Sequence, residues 1–207
     1  MKILREAGAS IVGDALGRLG GIAGLRRYDS GQYCLVGHAL TVQTRAGDNL
    51  AILAAISRAQ PSEILVVDGA GCLERALVGD LARCYAIQRG LGGFVIDGAI
   101  RDVAAFRGAE TFACFARGAS HRGPFKNGPG RIGVPVSIGS QLVSTGDIVV
   151  ADEDGLVSFD ALQLPEVTKL IEERIAAEGA IRAEILSGKQ RQSWLDAMLA
   201  NAGDRLT

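Results

Sequence analysis

The segments EILVVDGAG (Glu63–Gly71), GDLARCYAIQRG (Gly79–Gly90) and GFVIDGAI (Gly93–Ile100) decide the fold. The outer two are runs of branched and apolar residues closed by Asp-Gly, and they read as strands. The middle one opens with an acid, carries apolar residues at helical spacing and stops at glycine, so it reads as a helix. Strand, helix and strand joined by short connections predict a βαβ unit whose strands are parallel.

The pattern continues on both sides. CLVGHALTVQT (Cys34–Thr44) alternates as a strand does, and GDNLAILAAISRAQP (Gly47–Pro61) follows as a helix, with Asp48 as its expected N-cap. Further upstream, ASIVGDALGRLG (Ala9–Gly20) predicts a short amphipathic helix that ends at Gly20-Gly21. Ile132 to Phe159 is rich in β-branched residues with turn signals at STGD and DEDG, which predicts several short strands including a hairpin. Pro165 to Leu186 reads as a charged helix stopped by Gly188, and a shorter helix from Gln192 to Ala200 follows. The expectation is one α/β domain over residues 1–207, with a core at about 9–160 and a C-terminal helical segment at about 165–200.

Composition narrows the function. The chain has 207 residues, 48% of them hydrophobic, and a net charge of −1. No basic stripe runs through it, which argues against nucleic acid or an anionic membrane as partner. A small patch at Arg117, Arg122, Lys126 and Arg131 is the one local exception. The four cysteines form no C-x-x-C pair and read as reduced thiols of a cytoplasmic protein. Neither a signal peptide nor a membrane span is expected. With only His38 and His121 available, a metal site must be built mainly from oxygen ligands.

Parallel strands bring their C-terminal ends to one edge of the sheet, where ligands of open α/β sheets bind. Asp68, Asp80, Asp97, Arg101 and Asp102 are therefore expected to converge. Each has an ordinary structural role open to it: Asp-Gly is a common turn, Asp80 is placed to cap a helix, and Arg101–Asp102 can be a surface ion pair. Together, however, several acids on one edge repel unless cations sit among them. Arg101 is one such cation, and a divalent metal would be another. The helix start at Gly79, Asp80, Leu81 and Ala82 adds an anion site through its free N–H groups, and Arg101 can fork onto the same anion. Such a site suits a small α-keto acid.

The blocks ASIVGDALGRLG, LVGHALTVQTRAGDNLAI, ILVVDGAG, GDLARCYAIQRGLGGFVIDGAIRD, ARGASHRGPFKNGPG, VPVSIGS and STGDIVVADEDGLV resemble, in this order, the family of 4-hydroxy-4-methyl-2-oxoglutarate aldolases. That family also includes the regulator of ribonuclease activity A. The resemblance implies a three-layer α/β/β sandwich of the swivelling-domain type with C-terminal helices, assembled as a homotrimer or a hexamer. It implies a lyase dependent on Mg²⁺ or Mn²⁺ that cleaves a 4-hydroxy-2-oxo acid to pyruvate and decarboxylates oxaloacetate.

Carried onto this chain, the resemblance makes Asp102 the metal ligand and Arg101 the clamp on substrate oxygens. Gly79, Leu81 and Ala82 would bind the pyruvyl carboxylate, and Asp80 would position a water for proton transfer. Glu178, from a neighbouring subunit, would hold a metal-bound water, with Glu172, Glu173 and Glu184 as competing choices. His121 and Lys126 sit in a loop that could reach a second carboxylate or be solvated surface. The regulator branch typically lacks the acid after the arginine, and this chain keeps it. A non-enzymatic, protein-binding regulator is the alternative. Cys72, Cys84 and Cys114 read as small packing residues.

Overall fold

The computed structural model of the protein describes residues 1–31, 33–109 and 111–202. Along the chain lie α1 (Lys2–Ala15), β1 (Arg26–Arg27), β2 (Leu35–Thr44), α2 (Leu50–Arg58), β3 (Ile64–Val78), α3 (Asp80–Gln88), β4 (Gly93–Ile100), α4 (Val103–Arg107) and β5 (Ala113–Ala119). There follow β6 (Gly130–Ile132), β7 (Val136–Ile138), β8 (Gln141–Val143), β9 (Ile148–Ala151), β10 (Leu156–Phe159), α5 (Leu164–Leu186) and α6 (Ser193–Ala202).

The fold is α/β. The βαβ unit read from the sequence is the centre of a longer parallel run, in which β2, β3, β4 and β5 pair in parallel with α2, α3 and α4 between them. Strand β2 belongs to three pairings, one of them the antiparallel pairing of Val42–Thr44 with β6. Ala39–Gln43 lie parallel to β3, whereas Leu35–His38 lie antiparallel to β9. This hand-over curls the sheet, which runs β1-β5-β4-β3-β2-β9-β10.

Strand parity sorts the core into layers. Leu40, Val42, Leu65, Val67, Phe94 and Ile96 face the helices and pack with Ile52, Ile56, Ala86 and Phe106. Residues one step away, Ala39, Ile64, Val66, Val95 and Phe115, face the second β layer at Val136, Ile138, Val143, Val149 and Leu156. These are the three layers of the α/β/β sandwich. The outer side of the antiparallel strands, at Val36, Ile148, Val150 and Val157, is covered by Leu4 and Val12 of α1 and by Val167 and Ile171 of α5.

Three local features depart from the sequence reading. Helix α1 begins at Lys2 and breaks at Gly8, whose φ of 73° is left-handed. The expected start at Ala9 is where the helix resumes, with the Ala9 N–H donating to Asp152 Oδ2 at 2.7 Å. The helix then stops at Ala15, before Gly20, because Gly17 (φ 68°) and Arg18 (φ 65°) turn the chain left-handed. Helix α4 and strand β5 were not legible as separate elements. Strand β3 continues for nine residues past the Asp68-Gly69 expected to end it.

Asp48 is the polar pin of this architecture. It does not occupy the N-cap of α2, which is Asn49. Its carboxylate instead accepts from the N–H groups of Leu50 (2.9 Å), Asn127 (2.7 Å) and Gly128 (2.9 Å), with no exposed surface. It thus ties the start of α2 to the loop before β6. Burial alone would raise the carboxyl pKa, but the three N–H donors and Arg45 outweigh it and hold it below the ordinary 3.8. Replacing Asp48 with Ala should lower stability by about 2–4 kcal/mol in chemical denaturation near neutral pH, because three buried donors lose their acceptor. A depressed native pKa stabilises above the unfolded pKa and is lost as pH falls through the native one. The difference between wild type and variant should therefore narrow below about pH 3.8.

Candidate active site

The decisive local event is at the far end of β3. Past Asp68 its pairing with β4 becomes irregular: Asp68, Cys72, Ala76 and Val78 face Asp97, Gly98, Ala99 and Ile100 in turn. Ala70 (φ 56°) and Gly71 (φ 65°) make the left-handed step that lets the strand bulge out and return. Val78 pairs with Ile100, and the Arg101 N–H donates to the Val78 carbonyl at 3.0 Å. Helix α3 therefore starts where β4 ends, which brings Gly79–Ala82 beside Arg101 and Asp102.

The sequence-predicted residues separate into two groups. Gly79, Asp80, Leu81, Ala82, Arg101 and Asp102 come together. Asp102 Oδ2 accepts the Asp80 N–H at 3.0 Å and lies 3.5 Å from Arg101 Nε. The Leu81 and Ala82 N–H groups, the next two of the helix, have no acceptor among the described residues. Gly79 makes this approach possible: a Cβ there would lie 2.5 Å from Asp102 Oδ2 and 2.8 Å from Arg101 Cγ. Asp102 has left-handed backbone (φ 56°, ψ 42°), uncommon for a residue with a side chain, and it is the N-cap of α4. Two helices thus begin on either side of this one carboxylate.

Asp68 and Asp97 do not join them, which corrects the expected single cluster. Asp97 has the parity of Val95, so its side chain turns to the β layer, away from the helices. There it is buried and ion-paired with Arg117 of β5. Asp68 accepts from Gln43 Nε2 at 3.4 Å and from the Ala70 N–H at 3.0 Å. Among the described residues no three His, Cys, Asp or Glu side chains gather as a metal cage. The basic patch is also dispersed, with Arg117 on Asp97 and Arg131 Nη2 on Gln43 Oε1 at 2.7 Å.

Asp80 caps nothing with its side chain. Its Oδ1 receives Arg83 at 2.7 and 3.1 Å and lies 3.6 Å from Cys84 Sγ. Cys84 is exposed, so it does not pack as expected. Cys114 is buried, and its thiol pKa is pushed well above the ordinary 9.0 by burial and by Asp29. Burial, then Asp152, push Cys34 up to about 11. Glu178 pairs with Arg174 at 3.3 Å, and Arg174 also engages Asp14 of α1, so Glu178 lies outside the site in a single chain. Glu184 is engaged by Ser193 N–H and Oγ, both at 2.8 Å, and Glu173 faces Lys169 at 3.8 Å.

A cleft of about 140 Å³ opens in front of the α3 terminus. Leu53, Leu77, Val78 and Pro124 give it apolar walls, and Arg101, Lys126 and Asn49 are its polar side chains. Lys126 is carried there by a loop that is anchored rather than free. Asn49 N–H bonds to the Phe125 carbonyl at 3.0 Å, Phe125 N–H to the Gly47 carbonyl at 2.8 Å, and Arg75 Nη1 to the Gly123 carbonyl at 2.9 Å. His121 lines a second, shallower cleft on the other side of Arg101, with Asp102. Asn49 had no signal in the sequence, because nothing near it in the chain marks the cleft that it lines.

Residues 9–158 match the sequence model of the family described as RraA-like: Aldolase/RraA. The chain belongs to the Aldolase/RraA family. A protein of Halalkalibacterium halodurans with the name "Putative 4-hydroxy-4-methyl-2-oxoglutarate aldolase" is 43% identical over 122 residues. The match covers 59% of this chain and 58% of that relative, so the chain spans little more than half of the relative's length. A solved Pseudomonas syringae structure superposes with a TM-score of 0.80 at 25% identity, covering 92% of this chain and 91% of that one. Streptomyces coelicolor RraAS2, described as an unusual member of the RNase ES inhibitor RraA protein family, superposes with a TM-score of 0.78 at 26% identity, over 87% of this chain and 94% of that one. No described helix is long and apolar enough to cross a membrane.

Gly79 tests the geometry directly. Its backbone is extended (φ −151°, ψ −162°), so Gly79→Ala meets no backbone strain and only the Arg101–Asp102 pair is in its way. The variant should melt within a few degrees of wild type by circular dichroism, while the Asp80 amide, no longer held by Asp102, should exchange at least about tenfold faster in hydrogen exchange. Gly179→Ala on α5, where an added Cβ meets nothing within 4 Å, should change neither.

Proposed function

We propose that this protein is a divalent-metal-dependent lyase that cleaves a 4-hydroxy-2-oxo acid to pyruvate and decarboxylates oxaloacetate through the same enolate. The observation that carries the reading is the Arg101–Asp102 pair set across the open N-terminus of α3. The family membership and the name of the Halalkalibacterium halodurans relative support it.

The residues fit a lightly held Mg²⁺ or Mn²⁺. Asp102 Oδ2 is committed to the Asp80 N–H, while Oδ1 has no partner among the described residues and the side chain is 46% exposed. One free carboxylate oxygen open to solvent suits an ion that keeps several waters. When bound there, the ion would supply Lewis-acid polarisation of the substrate carbonyl. In a homotrimer or hexamer, Glu178 of a neighbouring copy would hold a water near it.

The chain's own groups perform the rest. The Leu81 and Ala82 N–H groups receive the carboxylate next to the carbonyl, aided by the helix dipole. In the retro-aldol step the water positioned by Asp80 takes the proton of the C4 hydroxyl, which becomes a carbonyl as the C3–C4 bond breaks. The electron pair moves to the C2 carbonyl oxygen, where the Arg101 guanidinium stabilises the growing charge. C3 then takes a proton from a water positioned by Asp80, whose Oδ2 is free of the Arg83 contact. With oxaloacetate, carbon dioxide leaves in place of the second carbonyl product.

A second reading, a protein-binding regulator, is favoured by the likeness to Streptomyces coelicolor RraAS2, described as an unusual member of the RNase ES inhibitor RraA protein family. Pyruvate release separates the two. A screen of 4-hydroxy-2-oxo acids and oxaloacetate should show release that a chelator abolishes and that Mg²⁺ or Mn²⁺ restores; full activity after exhaustive chelation would overturn the metal role. Asp102→Asn should lose metal affinity in calorimetry and drop kcat about 10²-fold or more. Arg101→Lys keeps charge but loses the fork, so KM should rise and metal affinity should change little. The reverse pattern would mean that the two roles are exchanged.

A further inference from the structure

We propose that Arg83 is a positioning residue of the site: its guanidinium holds the Asp80 carboxylate away from the open end of α3, so that the Leu81 and Ala82 N–H groups stay available to an anion. This rests on the proposed lyase reading for the use made of that end. In sequence Arg83 is an ordinary helix cation three residues after an acid, and such a pair adds little to a helix. Its geometry is less ordinary. Arginine frequently forks across both oxygens of a carboxylate. Here Nη2 (2.7 Å) and Nε (3.1 Å) of Arg83 converge on one oxygen, Asp80 Oδ1, and the Cys84 thiol lies 3.6 Å from the same atom. The arginine is the more enclosed partner, its side chain 17% exposed against 42% for Asp80.

What this hold prevents is visible elsewhere in the chain. Aspartate side chains turn readily to the backbone N–H two residues on. Asp29, Asp48, Asp68, Asp152 and Asp160 do so here, accepting from Gly31, Leu50, Ala70, Asp154 and Leu162 at 2.9 to 3.1 Å. Asp80 also has an open N–H two residues on, that of Ala82, at the positive end of a helix where a carboxylate is favoured. Yet the Leu81 and Ala82 N–H groups have no acceptor among the described residues, and the Asp80 carboxylate is on Arg83 instead. A carboxylate free to turn in would occupy the place of the substrate's own. Two charge-assisted bonds to the guanidinium oppose that turn. Asp102 cannot do the same work, since its Oδ2 takes the Asp80 N–H and leaves the Asp80 side chain alone. The hold on Oδ1 also leaves Oδ2 for the water that the lyase reading gives to Asp80. Arg83 thus acts through Asp80 and touches no substrate.

The test reads the amide exchange of Leu81 and Ala82 by water-exchange NMR on the full chain without metal or substrate. In wild type both amides should exchange within about tenfold of an unstructured peptide, since neither is bonded. Arg83→Met removes the guanidinium and keeps an apolar stem. It should slow one or both amides at least about threefold, as Asp80 turns in to accept them. Arg83→Lys should stay within about twofold of wild type, and the double variant Arg83→Met/Asp80→Ala should return to wild-type rates. A merely structural pair would give the opposite sign, because a loosened helix end exchanges faster. In the metal-loaded enzyme KM for oxaloacetate should rise at least about threefold in Arg83→Met, since substrate must displace the internal carboxylate. Arg83→Ala, with the best helix former in place, gives the same readings if Arg83→Met fails to fold. Protected amides in wild type, exchange unchanged or faster in a folded variant, slowing that persists without Asp80, or a KM that does not move would each overturn the proposal. Pyruvate release by wild type is measured separately. Slowed exchange in a chain that releases no pyruvate leaves the Arg83 assignment standing and removes the lyase reading, and release with unchanged exchange does the opposite.

Discussion

The pairing of Val78 with Ile100 is the constraint from which the site follows. Strand β3 takes ten residues to cover the last three steps of β4, so the two strands finish level. Had β3 stopped at Asp68, α3 would begin a strand's length away from Arg101. With the bulges in place, the N-terminal turn of α3, the end of β4 and the start of α4 all meet at the Asp102 carboxylate. Backbone hydrogen bonds set that meeting, and the side chains inherit it. Gly79 then permits the close approach of the pair, since a Cβ there would lie 2.5 Å from Asp102 Oδ2.

A second set of contacts gives the cleft its electrostatic character. Asp48 spends its charge on three backbone N–H groups and is thereby removed as a free acid. What it secures is the loop that carries Lys126. The acids that might have neutralised the cleft are directed elsewhere: Asp97 to Arg117, and Asp68 to Gln43 and its own turn. The remaining space is lined by donors and apolar surface, with Asn49 as the exception. Such a cleft favours an anion without needing a large excess of positive charge, which agrees with a chain whose net charge is −1.

Fold and function separate in this family. The same sandwich is found, at a TM-score of 0.78, in Streptomyces coelicolor RraAS2, described as an unusual member of the RNase ES inhibitor RraA protein family, and the family description joins Aldolase with RraA. The layers themselves, built from strand parity and helix faces, carry no chemistry. What the edge of this sandwich carries is an acid directly after Arg101 and, nearby, a buried carboxamide oxygen with no hydrogen-bond partner.

The sequence by itself determined the α/β class, the parallel β3–α3–β4 unit, the C-terminal helices, and the meeting of GDLA with RD at one edge of the sheet. These are local matters of periodicity, caps and short motifs, and Gly79, Asp80, Leu81, Ala82, Arg101 and Asp102 do converge as the strand–helix order implies. Tertiary structure alone decided which acids share that edge. The parity of Asp97 with Val95 was legible, but which face of the sheet carries helices is set by crossovers and not by alternation. The length of β3 was hidden because bulged residues such as Ala70 and Gly71 read as a turn. Asn49 was hidden for a similar reason: its fate depends on Asp48 taking the capping bond and on a loop some 75 residues away closing over it. Long-range contacts of this kind leave no periodic trace in the chain, because each partner looks ordinary among its own neighbours.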